Sequence, residues 1–180
     1  MIATKRVSSI SFLMTSRDDR GMQRVECPPG SRSECKEIMI GRLPARMCDA
    51  ASKLVVKAFP RMDIPVDFWK KKICSDVSIG AMENKQHLIG VANVSNREMG
   101  KANLDLLAID PSYQGKGLGS KLLVDAEKVA AKAGYRVMGL MTEQVKPQNV
   151  AFYSSRGYKV IGYDPRGYEH SPSVKFEKNI

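Results

Sequence analysis

Leu104-Asp105-Leu106-Leu107-Ala108-Ile109-Asp110-Pro111-Ser112-Tyr113-Gln114-Gly115-Lys116-Gly117-Leu118-Gly119-Ser120 is the stretch that decides how this chain is read. Leu104–Ile109 is an apolar run interrupted by one acid, which predicts a strand. Asp110-Pro111 bounds it, because the residue before a proline is pushed toward extended geometry. The glycine-rich turn then runs directly into a helix predicted over Gly117–Ala133. Leu118, Leu122, Ala126, Val129, Ala130 and Ala133 recur there at helical spacing, and Gly134 suits the C-terminal cap. A helix start leaves main-chain N–H groups without partners and carries the positive end of the helix dipole. Glycines without a Cβ let an anion come close to those donors, and Lys116 adds a cation. This is a site for phosphates.

Spacing narrows which phosphates. No GxxxxGK[ST] run exists, so a P-loop is excluded. Gly115-Lys116-Gly117-Leu118-Gly119 reads GxGxG rather than the GxGxxG of dinucleotide-binding folds, and no second acidic strand end stands near the required offset.

Outward from this segment the chain divides near residue 38. Residues 1–37 are punctuated by Arg, Asp, Gly, Pro and Ser, with Pro28-Pro29-Gly30 blocking both helix and strand. They are expected to form an extension with little packed structure, with one edge strand around Val7–Met14. Residues 38–180 carry regular patterns. Strands are predicted at Ile38–Ile40, His87–Asn93, Leu104–Ile109, Arg136–Met141, Tyr158–Gly162 and Val174–Glu177. Helices are predicted at Ala45–Ala58, opened by Pro44, at Asp63–Ile73, and at Asn149–Ser155.

The 180 residues suit one domain, with 43% apolar and 27% charged residues, an ordinary globular balance. No apolar run approaches the roughly 18 residues that cross a bilayer. The net charge of +10 favours polyanionic partners in general. Nucleic acid is not expected, since aromatics are 7% and no RNA-recognition or helix-turn-helix pattern is present. Cys27, Cys35, Cys48 and Cys74 form no CxxC pair, and His87 and His170 lie far apart, so no metal site is expected. Free thiols in a reducing, cytoplasmic compartment are the reading. Asn93-Val94-Ser95 matches a glycosylation sequon but lacks a secretory context.

With these residues in hand, the chain resembles the GNAT superfamily of N-acetyltransferases, and within it the puromycin-acetyltransferase-like branch. The family's Q/R-x-x-G-x-G/A is met at each defined position by Gln114-Gly115-Lys116-Gly117-Leu118-Gly119. Its later Asn, aromatic-Tyr and Gly-aromatic features are met by Asn149, Phe152-Tyr153 and Gly157-Tyr158. The resemblance covers about residues 38–180. It implies an α/β fold in a single domain, with a mixed, mostly antiparallel sheet flanked by helices. The implied reaction is transfer of an acetyl group from acetyl-CoA to a primary amine, by direct attack in a ternary complex.

By position, the resemblance implies that the main chain of Leu107, Ala108 and Ile109 pairs with the pantetheine arm between two splayed strands. It assigns the diphosphate to Gln114, Gly115, Lys116, Gly117, Leu118, Gly119 and Ser120. Asn149 would hydrogen-bond the pantetheine region, Phe152 would pack on the donor, and Tyr153 would protonate the leaving thiolate. The base stays open between Asp105, Glu143 and ordered water. The period of two puts Asp105 on the strand face of Leu107 and Ile109. Met47, Phe59, Met62, Phe68 and Trp69 either line an acceptor pocket or are core. Asp164, Glu169 and His170, with Tyr163, Gly167 and Tyr168, suggest a lid over the acceptor. A small-molecule acceptor is preferred to a protein lysine or N-terminus, in a monomer or homodimer. A non-catalytic acyl-CoA-binding domain is the other reading left open.

Overall fold

The computed structural model describes residues 14–17, 22–25, 37–60, 64–97, 100–167 and 172–180. In chain order the strands are β1 Met14–Arg17, β2 Gln23–Val25, β3 Ile38–Arg42, β4 Val77–Glu83, β5 His87–Arg97, β6 Lys101–Ile109, β7 Val137–Glu143, β8 Lys159–Asp164 and β9 Ser173–Asn179. The helices are α1 Cys48–Ala58, α2 Val66–Ser75, α3 Leu118–Lys132 and α4 Pro147–Ser154. One sheet runs in the order β1-β2-β3-β4-β5-β6-β7-β9-β8. Every neighbouring pair is antiparallel except β6 with β7. The α/β fold with a mixed, mostly antiparallel sheet is as expected. The edge strand anticipated at Val7–Met14 falls almost wholly outside the described residues.

The sheet is covered on both faces. Leu54 and Val55 of α1 and Trp69 and Ile73 of α2 pack on Val91, Leu106 and Ala108. Leu118, Leu122, Leu123 and Ala126 of α3 pack on Ile79, Ile89, Leu104, Met138 and Phe176. Burial of these apolar faces is the main favourable term holding the layers together. Strand β4 was not foreseen, because Val77-Ser78-Ile79-Gly80-Ala81-Met82 lacks polar alternation. It is buried on both faces, which removes the alternation that marks a half-exposed strand.

Two irregularities in β6 shape the site. It pairs with β7 only at Ala102–Met138, Asn103–Gly139 and Leu104–Leu140. Beyond Leu104 the strands part, although β6 stays paired with β5 to Ile109–Gly90 and β7 with β9 to Glu143–Ser173. The result is a wedge between two intact ladders. The second irregularity is a bulge: Asn93 pairs with Leu106 and Val94 with Leu104, so Asp105 has no partner opposite it. Leu104 therefore joins the core under α3, whereas Leu106 and Ala108 join the core under α1 and α2. This corrects the period-two reading. Asp105 is held on the α2 face by Lys72, while Leu107 and Ile109 pack toward the α3 side.

A further correction concerns cysteine. Cys48, the first residue of α1, and Cys74, in the last turn of α2, form a disulfide with Cα atoms 5.9 Å apart. They are 26 residues apart in sequence and meet only because the helices fold back on each other, so no spacing motif announces the pair. Cys27 and Cys35 lie outside the described residues.

Candidate active site

The glycine loop is shaped by its own side chains first. Asp110, 5% exposed, accepts a hydrogen bond from the Ser112 N–H at 3.0 Å, capping the short turn Pro111–Tyr113. Gln114 Nε2 donates to the Ile109 carbonyl at 3.1 Å, and Lys116 Nζ donates to the Ser112 carbonyl at 3.2 Å. Two longer reaches pin the turn. Lys57 Nζ of α1 lies 2.8 Å from Asp110 Oδ2, and the Tyr113 hydroxyl donates to Glu83 Oε1 of β4 at 2.8 Å. The Lys57 hydrogen bond, aided by Ser112 against the cost of burial, holds the Asp110 carboxyl below its ordinary pKa.

Gly115 and Gly117 sit at φ +74° and +79°, where an L side chain is strained. Gly117 is the N-cap of α3. Among the described residues, the six consecutive N–H groups from Gly115 to Ser120 donate to no main-chain carbonyl; the first to do so is Lys121, to Gly117. These six donors at a helix start are what a diphosphate needs. The Leu118 side chain is core, so only its main chain can serve. Lys116 is turned back onto Ser112, with its ammonium 5.1 Å from the Tyr113 ring centre.

The wedge supplies the second part. Asp110 N–H donates to the Ile89 carbonyl of β5 at 2.9 Å. Two-residue alternation then turns the Ala108 main chain toward β5 and the Leu107 and Ile109 main chains into the wedge. Of the three residues read as pairing with a pantetheine arm, Leu107 and Ile109 offer main-chain groups to the wedge; Ala108 is corrected to a place in its wall.

Across the wedge, Asn149 Nδ2 donates to Thr142 Oγ1 at 3.2 Å. Phe152 lies edge-on to Tyr153 at 5.1 Å between ring centres. Arg156 stacks 3.7 Å over the Phe152 ring, donates to the Phe152 carbonyl at 2.7 Å, and donates to Ser120 Oγ. It thereby ties the end of α4 to the first turn of α3. Tyr153 also contacts Tyr158 and Phe176. Burial, partly offset by the Arg156 charge, pushes its phenol up to about 12. Such a phenol stays protonated at neutral pH and can only donate a proton.

These parts share one cavity of about 320 Å³. Gln114 and Gly119 of the glycine loop, Leu107 and Ile109 of β6, and Asn149, Phe152 and Tyr153 line it. Asp105, Glu143, Lys146, Phe59 and Trp69 line the same cavity. Asp105 Oδ1 accepts from Asn103 Nδ2 at 2.6 Å, and its Oδ2 lies 3.2 Å from Lys72 Nζ. Burial opposes the charge on Lys72, but Asp105 and Asp76 together raise its pKa above the usual lysine value. Glu143 is paired with Lys146 at 2.8 Å. Of the apolar acceptor candidates, Phe59 and Trp69 line the cavity, Met47 packs in the core under α1, and Phe68 is 53% exposed. Met62, Tyr168, Glu169 and His170 lie outside the described residues. Sequence reasoning missed Lys57, Lys72, Glu83, Tyr113, Arg156 and the capping role of Asp110. Only Asp110 had a local signal, an Asp ahead of Pro-Ser.

The match to known proteins agrees with this geometry. Residues 47–179 match the acetyltransferase (GNAT) domain family, so the chain belongs to that family. It is an acyl-CoA-dependent N-acyltransferase that uses acetyl-CoA. Solved structures share its fold. A PaiA N-acetyltransferase from Thermoplasma acidophilum, in complex with coenzyme A, is 22% identical, with 79% of this chain and 99% of that one covered at a TM-score of 0.65. A ribosomal-protein alanine N-acetyltransferase from Escherichia coli is 19% identical, with 79% and 94% covered and a TM-score of 0.72. YncA, a putative acetyltransferase from Salmonella typhimurium with its cofactor acetyl-CoA, is 18% identical, with 79% and 93% covered and a TM-score of 0.68. No curated protein matches the sequence.

Proposed function

We propose that this acetyltransferase moves the acetyl group of acetyl-CoA to a primary amine of a small molecule, by direct attack in a ternary complex. The observation that carries the reading is the cavity that reaches from Gln114 and Gly119 of the glycine loop to Asp105 and Tyr153. The aromatic side chains of Phe59 and Trp69 in its lining favour a small acceptor over a protein segment. So does the likeness of the glycine loop and the Asn-Phe-Tyr segment to the puromycin-acetyltransferase-like branch.

An amine of pKa near 10 is mostly protonated at neutral pH and must lose a proton before it attacks. Asp105, an acid in an otherwise apolar strand, is the group proposed to take it, with Asn103 and Lys72 fixing its two oxygens. Leu107 and Ile109 direct main-chain N–H groups toward the reacting carbonyl, where a developing oxyanion needs donors. Tyr153 gives its proton to the departing thiolate and recovers one from solvent. Gln114 to Ser120, with Asn149 and Phe152, hold the donor.

An amine panel read by release of free CoA tests the reading. Turnover is expected with small primary amines and is expected to fall in Asp105→Asn and Tyr153→Phe. Turnover confined to lysine peptides or N-terminal peptides would overturn the acceptor assignment. Full turnover in both variants would remove Asp105 and Tyr153 from these roles, and acetyl-CoA binding without turnover on any amine would favour a non-catalytic binding domain.

A further inference from the structure

We infer that Cys48 and Cys74 form a reversible dithiol–disulfide site that sets the rigidity of the acceptor side of the cavity. Residues 59–65 join α1 to α2 at one end of this helical hairpin, and the cysteine pair joins them at the other. The two sulfurs are unequal in ways that suit exchange. Cys74 is exposed and follows Lys70-Lys71-Lys72, whereas Cys48 is 5% exposed at the first position of α1.

Reduction therefore begins at the accessible sulfur. An incoming thiolate bonds to Cys74 Sγ, the Cys48–Cys74 bond breaks, and Cys48 leaves as the thiolate at the head of α1. A second thiol then releases Cys74, leaving two protein thiols and one oxidised low-molecular-weight disulfide. Oxidation runs the same steps backward: Cys74 takes up one half of a small disulfide, and Cys48 displaces it and closes the bridge. Both directions are two-electron exchanges with a thiol–disulfide couple of the glutathione type. In a reducing cytoplasm the dithiol form prevails, and an oxidising shift closes the bridge.

The hairpin is joined to the reaction site. Between the two closures α2 carries Trp69, which walls the cavity, and Lys72, which holds Asp105 two residues before Cys74. Among the described residues, none of the proposed donor contacts lies on this hairpin except Lys57, near the chain-linked end of α1. The bridge is thus expected to act on the acceptor and to leave acetyl-CoA binding alone.

The test equilibrates the full chain with oxidised or reduced glutathione. It reads thiol alkylation by peptide mass, amide exchange in α2, and the KM of the amine and of acetyl-CoA. The amine arm rests on the acceptor reading above; alkylation and exchange stand apart from it. Expected in the oxidised protein are Cys48 and Cys74 protected from alkylation. On reduction, α2 amides should exchange about tenfold faster. The amine KM should rise about fivefold while the KM of acetyl-CoA holds. Cys74→Ser should match the reduced protein in either buffer. Alkylation of both cysteines in the oxidised protein, identical α2 exchange in the two states, or a Cys74→Ser variant that still responds to glutathione would each overturn the inference.

Discussion

The part of the cavity proposed for the donor and the part proposed for the acceptor are built differently. Around the glycine loop three shaping contacts are local, Asp110 to Ser112, Gln114 to Ile109 and Lys116 to Ser112, and Lys57, Glu83 and Arg156 tie it to other elements. The acceptor half is assembled over long distances in the chain, from Phe59, Trp69 and Lys72 on the helical hairpin to Asp105 and Glu143 on separate strands. Local construction fixes one geometry for a diphosphate. Remote construction lets the acceptor side change while the donor side stays. If that division is sound, damage to each half should appear in a different kinetic constant.

The largest effect is expected from Gly117→Val. A β-branched residue at φ +79° is strained by at least about 1–2 kcal/mol, which disturbs the turn that presents the N–H donors. Affinity for acetyl-CoA should fall about 100-fold or more, read by calorimetry. Unaltered affinity would break the donor half of the comparison.

Next is Tyr153→Phe, expected to lower kcat by about 10²–10³-fold with acetyl-CoA affinity nearly unchanged. The pH profile sharpens this. Because the phenol is pushed up to about 12, its proton is retained through neutral pH and lost only as pH rises through that value. No basic limb from Tyr153 should appear in kcat below about pH 11.

Lys72→Met should leave acetyl-CoA binding intact and raise the amine KM or lower kcat by about tenfold, because Asp105 loses the partner of one oxygen. A change in acetyl-CoA affinity instead would blur the two halves.

The smallest effect belongs to the pin between them, Lys57–Asp110. The Asp110 pKa is lowered from 3.8, so its contribution is fully present above that ordinary value. It is lost as pH falls through the lower folded value. Loop stability should therefore be flat from about pH 5 to 8 and decline only in stronger acid. Lys57→Met should weaken acetyl-CoA by a few fold at neutral pH.

The same division explains what the sequence could tell. The strand, turn and helix from Leu104 to Gly134 were legible because their signals are a short apolar run, an Asp-Pro stop, glycines at positive φ and a helical stripe, all within the segment itself. Strand β4 was not, because burial on both faces erases alternation. Asp105 was found as an oddity in an apolar strand but put on the wrong face, since a bulge opposite Asn93 and Val94 depends on β5 and cannot be seen in β6 alone. Lys72, Arg156 and the Cys48–Cys74 pair carry no local signal; only folding brings them to their partners.

The central claim is that the N–H groups from Gly115 to Ser120, which among the described residues donate to no main-chain carbonyl, bind the donor's diphosphate. Thermal unfolding with and without acetyl-CoA tests it most directly. At about 100 times Kd the ligand adds about 2.7 kcal/mol, which for a chain of this size raises Tm by roughly 5–11 °C. The account predicts that rise in the native chain and its loss in Gly117→Val. No shift at saturating acetyl-CoA, or an equal shift in both proteins, would contradict it.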